Sequence, residues 1–267
     1  MVEKKFKGIK FLFLFIIAIF CLSCGGHTNT GRTSVVANMD KILKQAGYLN
    51  SAKADLDDIA DPILLNNAKA SVLIGVSTGS GVVINHRKGL IITCYHVVDG
   101  LSKNELNIIF RRGDKIFIYR ARILRANGEN DLALLQIVDQ REFRRSGLDG
   151  SVRLGERSQI KIGEMAYNLG YPHAFSSRGF GLSYNVAHIS RTDFRNYRYM
   201  DALNISKNQP SRVLLDLHPL GGVSGSGVYA EDGRLIGLVQ GRTDGPFGIV
   251  IPIDQIRRFL MGIDFFE

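Results

Sequence analysis

The chain has few cysteines and little apolar sequence long enough to cross a membrane. Its three cysteines, Cys21, Cys24 and Cys94, are too few to organise 267 residues by disulfides. A chain of this length can instead bury a sizeable core. The apolar run near the N-terminus, "FLFLFIIAIFCL", has 12 residues, too short for an ordinary membrane-spanning helix. Low-complexity tracts and repeats at solenoid periods are missing, which excludes a repeat array. The formal charge is +9, but the first 23 residues hold four lysines and one glutamate, so the remainder carries 30 basic against 24 acidic residues. That excess is scattered. It forms no basic–aromatic module, so a nucleic-acid partner is not expected.

What is present begins with a targeting pattern. "MVEKKFKGIK" is a cationic n-region and the apolar run is a signal h-region. "CLSCGG" follows, with the small Ser23 before Cys24 and glycines after it. It resembles the lipobox of bacterial lipoproteins, with Cys21 where leucine is usual. The resemblance implies that residues 1–23 leave as a signal peptide and that Cys24 carries lipid at the bacterial cell envelope. Ordinary secretory cleavage nearby, with Cys24 incidental, is the alternative. Cys94 then remains alone, and its neighbours "LIITCYHVV" read as a buried strand, so it is a small core residue rather than a nucleophile. Residues 24–69 read as a polar tether and a helical lead-in, "NMDKILKQAGY" and "DLDDIADPILLNNA", with Pro62 interrupting the second helix.

From about Ala70 the texture changes. "SVLIGVSTGSGVVI", "GLIITCYHVV", "ELNIIFRRGDKIFIYRARIL" and "DLALLQIV" are short β-branched runs broken by glycine-bearing turns. The same texture resumes in "EMAYNLGYP", "GLSYNVAHISR", "RVLLDLHPL", "RLIGLVQG" and "FGIVIPI". Two groups of comparable size predict an all-β fold of two antiparallel barrels, the first over 70–150 and the second over 151–252. A short amphipathic helix, "DQIRRFLMGI", with Asp254 as its N-cap, and a tail complete the 70–267 domain over 253–267.

"GGVSGSGVY", Gly221 to Tyr229, is either a turn between strands or the seat of a nucleophilic serine. The six histidines are His27, His86, His96, His173, His188 and His218, and all precede it. An α/β-hydrolase needs its histidine after its serine, and its Gly-x-Ser-x-Gly elbow is missing because Ser226 stands two after Ser224. The order His, Asp, Ser stays open. His96 follows the run "GLIITC" after Tyr95, and Asp131 stands at the start of "NDLALLQI". Each has a plain structural alternative: a hydrogen-bonded core histidine, and a turn residue before a strand.

Taken together, these segments resemble the HtrA (Deg) type of trypsin-fold serine protease over roughly Ala70 to Met261. "GSGVVINHRKGLIITCYHVV" is similar to the family's Gly-Ser-Gly strand and Leu-Thr-x-x-His-Val-Val. "NDLALLQI" is similar to its Asp-Leu-Ala strand, and "LGERSQIKIGEMAYNLGYP" to its Leu-Gly…Gly-x-Pro hairpin. "GVSGSG" stands at Gly-Asn-Ser-Gly-Gly-Pro, and "GIVIPIDQI" at the strand before the last helix. The resemblance implies a serine endopeptidase with the triad His96, Asp131 and Ser224. The backbone N–H groups of Gly222 and Ser224 would form the oxyanion hole, with no metal and no cofactor. Ser226, the rival nucleophile, falls on the family's second glycine. Val223 and Gly227 depart from the usual Asn or Asp and Pro, which bears on the rigidity of the loop. His218, six residues before Ser224, and Gln240 are expected at the primary specificity pocket. With the last barrel helix close to Glu267, no PDZ domain is expected. Expected partners are protein or peptide substrates, the membrane through the lipid, and further copies of the chain. "RTDFRNYRYMDALNISKNQP" is either a docking segment or a solvated loop. The competing class is a catalytically silent trypsin-fold binder or adhesin lipoprotein.

Overall fold

The structure is a computed structural model and describes residues 56, 59–75, 79–101, 106–112, 115–172, 181–195 and 211–264. The signal sequence, Cys24, the tether, the first lead-in helix, the second up to Asp58 apart from Leu56, and residues 196–210 of the arginine–aromatic segment lie outside them.

Helix α1, Pro62–Ala70, starts on an Asp61 N-cap whose carboxylate accepts from the Leu64 N–H at 2.7 Å. Pro62 begins this helix rather than interrupting one. A proline costs nothing in the first turn, where its missing N–H has no intrahelical partner. The chain passes from Ala70 directly into the first strand.

Six strands form the first barrel: β1 Ser71–Ile74, β2 Gly79–Asn85, β3 Leu90–Thr93, β4 Leu106–Arg112, β5 Lys115–Asn127 and β6 Leu132–Ile137. Their order is β1-β2-β3-β6-β5-β4, closed by pairing of β4 with β1. Six more form the second: β7 Met165–Gly170, β8 Ser183–Phe194, β9 Arg212–Leu215, β10 Gly227–Ala230, β11 Leu235–Arg242 and β12 Gly248–Pro252. They run β10-β11-β12-β9-β8-β7, with β7 closing on β10. Every pairing between these twelve strands is antiparallel among the described residues. Closure leaves neither sheet an open edge. The expected all-β double barrel is the fold observed.

Burial patterns explain where the site can form. β2 and β3 are buried at every position, whereas β5 has exposed residues along its length. Strands buried on both faces must have protein on both sides. The start of β2 lies against the second barrel: the Ser80 N–H donates to the Ser224 carbonyl at 2.8 Å. Phe143, on helix α3 Gln140–Arg145, plugs the first barrel beside His86, Phe110 and Tyr119, with ring centroids 4.7–5.2 Å away.

Helix α4, Ile253–Leu260, follows β12 without a loop and buries Ile253, Ile256, Phe259 and Leu260. Its N-cap is Pro252, so the expectation of Asp254 as cap is corrected. Asp254 sits inside the first turn and accepts from Arg258, one turn on, at 2.9 Å. Arg125 of the first barrel donates to the Phe259 and Met261 carbonyls at 2.7 and 2.9 Å, satisfying the end of α4 across the two barrels.

Candidate active site

The buried strand β3 ends at Thr93, and the chain turns through Cys94 into a single helical turn, α2 Tyr95–Val98, which carries His96. The turn is held by Asp131. The Asp131 carbonyl accepts from Tyr95 N–H at 3.1 Å, and its Oδ1 accepts from His96 N–H at 2.9 Å. Asp131 closes the tight turn between β5 and β6, and its φ is +56°, the one positive φ at a non-glycine among the described residues. Left-handed backbone at such a residue costs roughly 1–2 kcal/mol, so the local bonds must over-determine it. They do: Asp131 N–H donates to Gly128 O at 3.2 Å, and Asn130 N–H donates to Asn127 Oδ1 at 2.9 Å.

The Asp131 side chain is 2% exposed and fully engaged. His96 Nδ1 lies 2.8 Å from Oδ2 and 3.0 Å from Oδ1. A carboxylate only accepts, so Nδ1 carries the hydrogen and Nε2 is left as the basic nitrogen of the neutral ring. Gln240 Nε2 donates to Oδ2 at 2.9 Å.

Gln240, expected at the specificity pocket, is buried on β11. Its side chain is enclosed between Asp131 and Arg212, whose Nε donates to Gln240 Oε1 at 2.8 Å. Arg212 is 1% exposed, at the head of β9. Burial pulls its pKa down to about 10, and Asp131 resists that fall, so Arg212 is a cation at neutral pH. His218 is exposed, and its Nε2 accepts from Arg242 Nη1 at 3.1 Å.

The serine turn belongs to the second barrel. Val223 N–H donates to Leu220 O, Gly225 N–H to Val239 O and Ser226 N–H to Val223 O, at 3.4, 2.8 and 3.0 Å. Gly222 and Gly225 have φ of +94° and +83°, and a Cβ on Gly225 would collide with Thr93 Oγ1 and the Ser80 carbonyl. The turn thus rests against Thr93 at the end of β3, three residues before His96. Val223 is buried in the common apolar core. Ser80 Oγ donates to the Gly222 carbonyl at 2.9 Å and accepts from Tyr171 N–H at 2.9 Å. Among the described residues, no acceptor meets the N–H of Gly222 or of Ser224. Two neighbouring, uncommitted N–H donors are what an oxyanion requires.

Ser224 is half-buried, and its Oγ donates to the Gln240 carbonyl at 3.2 Å. Among the described residues no hydrogen bond joins it to His96. Such contacts often tighten only when substrate is bound. Ser226 is fully buried and its Oγ accepts from Asn168 Nδ2 at 2.8 Å.

Cys94, His96 and Asp131 offer ligand atoms within 4.8 Å of one another. Their chemistry does not suit a metal. Asp131 already takes three N–H donors, and Cys94 gives its S–H to Val239 O at 3.4 Å. Burial pushes the Cys94 thiol well up, against the thiolate a metal needs.

Sequence reasoning missed Arg212 and Ser80. The signal for the first was an arginine heading the apolar run "RVLL", and for the second a serine inside an otherwise buried strand.

Residues 79–238 match the family described as trypsin-like peptidase domain. The chain is 22% identical over 183 residues to a probable serine protease do-like of Buchnera aphidicola, covering 67% of this chain and 34% of that protein. It is 23% identical over 186 residues to the periplasmic serine endoprotease DegP of Salmonella typhimurium, covering 68% of this chain and 34% of that protein. The chain thus spans about a third of the length of these curated relatives. Among solved structures, it is similar to the inactive form of the Rv3671c protease of M. tuberculosis, with a TM-score of 0.59 and 20% identity over 79% of this chain and 96% of that one. The HtrA-type protease AlgW with a decapeptide gives 0.57 and 20%, over 72% and 63%. At these identities the solved structures attest the fold alone.

Proposed function

The chain belongs to the trypsin-like peptidase domain family, and from that premise we propose that it is an HtrA-type serine endopeptidase working through Ser224, His96 and Asp131. The observation that carries the reading is the tie of His96 Nδ1 to both Asp131 oxygens, at 2.8 and 3.0 Å, which fixes the tautomer with Nε2 as base. Ser224 Oγ leaves the Gln240 carbonyl and attacks the scissile carbonyl carbon while its proton passes to His96 Nε2. The oxygen that gains negative charge is met by the N–H groups of Gly222 and Ser224. His96 then protonates the leaving amine, the C–N bond breaks, and an ester on Ser224 remains. Water, deprotonated by His96, cleaves that ester and restores the hydroxyl. Asp131 holds the His96 Nδ1–H throughout and stabilises the imidazolium.

The substrates are proteins or peptides. His218 with Arg242 forms a donor-rich corner suited to an acidic or amide side chain at the residue on the acyl side of the cut. Residues 1–23 act as a signal peptide and Cys24 as the lipidated residue that holds the 70–267 domain at the bacterial envelope; three relatives carry the word periplasmic in their names.

Labelling with a fluorophosphonate followed by peptide mapping tests the reading. A covalent adduct on Ser224 is expected, and it should vanish in His96→Ala. A protein that stays unlabelled and leaves unfolded substrate uncut would instead be a binding module.

A further inference from the structure

A buried guanidinium stands behind the acid of the triad. Arg212 reaches Asp131 through one amide: Arg212 Nε to Gln240 Oε1 at 2.8 Å, then Gln240 Nε2 to Asp131 Oδ2 at 2.9 Å. The other end of the guanidinium is held by Gln255 Oε1 at 2.6 Å and the Asn130 carbonyl at 3.3 Å. Gln255, 3% exposed on α4, donates in turn to the Ser211 carbonyl at 2.8 Å. Asn130 is the residue before Asp131, so the same cation grips both the carboxylate, through Gln240, and the backbone turn that presents it.

We propose that Arg212 is a positioning residue for the triad, setting the orientation of Gln240 and, through it, the charge and direction of the Asp131 carboxylate that faces His96. The proposal rests on the triad reading given above.

Two physical arguments carry it. First, a free glutamine amide can flip, offering Asp131 either a donor or a repelling oxygen. A guanidinium only donates, so Gln240 must turn its oxygen to Arg212 and its N–H to Asp131. Second, the charges act on one another. Asp131 and Arg212 interact directly, and Cys94 interacts with both. The titratable or charged groups gathered here are His96 on α2, Cys94 after β3, Asp131 before β6 and Arg212 on β9; Gln240 on β11 and Gln255 on α4 are neutral. A cation behind Asp131 offsets part of the negative charge that would otherwise hold a proton on His96. The base thus stays free to lower pH than it would with Asp131 alone.

Removing the cation should move the acid limb upward. In Arg212→Met, the acid limb of kcat/KM and the His96 imidazole titration followed by NMR should both shift to higher pH by about half a unit or more. Arg212→Lys, which keeps the charge, should stay close to wild type on both. Gln240→Met removes the amide link and should shift the curves in the same direction, with kcat falling and KM little changed. Should Arg212→Met fail to fold, Gln240→Met gives the same reading. NMR titration of the full chain is independent of hydrolysis. A protein that titrates as expected yet cleaves nothing would sink the peptidase reading and leave this link standing. Titrations of the methionine variants that overlay the wild type would overturn the proposal and reduce Arg212 to a structural role.

Discussion

Ser80 in the first barrel and Ser224 in the second are joined through the backbone, with the Ser80 N–H donating to the Ser224 carbonyl at 2.8 Å. The Ser80 hydroxyl holds the Gly222 carbonyl at 2.9 Å. One residue of the first barrel therefore grips the serine turn on both sides of Val223, next to the two N–H groups proposed as the oxyanion hole.

Ser80→Ala should leave the barrels folded while loosening that turn. The buried Gly222 carbonyl loses its donor, which costs about 1–3 kcal/mol. Peptide hydrolysis should fall about tenfold to a hundredfold, because small misplacements at a reacting centre are expensive. A urea denaturation series alongside kcat/KM measures both effects. Full activity in a destabilised variant would show that the hydroxyl only supports the fold.

Ser224→Ala should abolish labelling and hydrolysis, and Ser226→Ala should keep the label. Ser226 is out of reach, buried with its oxygen on Asn168. Its loss should appear as reduced thermal stability instead. A label that persists in Ser224→Ala would move the nucleophile elsewhere.

Asp131→Asn should cut kcat by about 10⁴ at neutral pH if the chymotrypsin precedent carries over. An asparagine amide group aimed at His96 Nδ1 favours the tautomer with hydrogen on Nε2, and that nitrogen can no longer take the serine proton. Burst kinetics with an active ester reads the acylation step directly. A loss below about tenfold would be incompatible with Asp131 as tautomer holder.

His86 makes stability depend on pH. Burial lowers its pKa below 6.5; nearby Asp149 resists and Arg112 reinforces the shift. Below about pH 6.5 the unfolded chain binds a proton that the folded chain resists, so this contribution is complete above that pH and is lost as pH falls. Urea midpoints between about pH 7.5 and 5.5 should drop more in wild type than in His86→Phe, which keeps a ring against Phe143. Parallel curves would remove His86 from the acid sensitivity.

Much of this architecture was legible in advance because local pattern and tertiary role coincide. The runs "SVLI", "LIIT" and "LALLQI" are β-branched or leucine-rich, short and turn-bounded, and each became a barrel strand. His96, Asp131 and Ser224 stand where glycine turns and strand ends interrupt those runs. Gln240 was harder. Its apolar neighbours say that it lies in a strand, but the direction of its amide depends on Arg212, 28 residues earlier on a different strand. Pro62 and Asp254 show the same limit at shorter range. A proline reads equally as a breaker or a first-turn residue, and an aspartate near a helix start as a cap or a member of the first turn. Backbone hydrogen bonds decide between these, and no residue type encodes them alone.

The placement of the reacting groups has a consequence for synthesis. His96 and Asp131 belong to the first barrel, while the Ser224 turn precedes β10 of the second and leans on Ser80 and Val239 for its shape. A ribosome delivers the base and its partner long before it delivers the nucleophile. β11, whose Val239 and Gln240 carbonyls hold that turn and its serine, comes later still. If Ser224 is the cutting residue, the nascent protein remains harmless to its neighbours until almost the whole domain has emerged and closed.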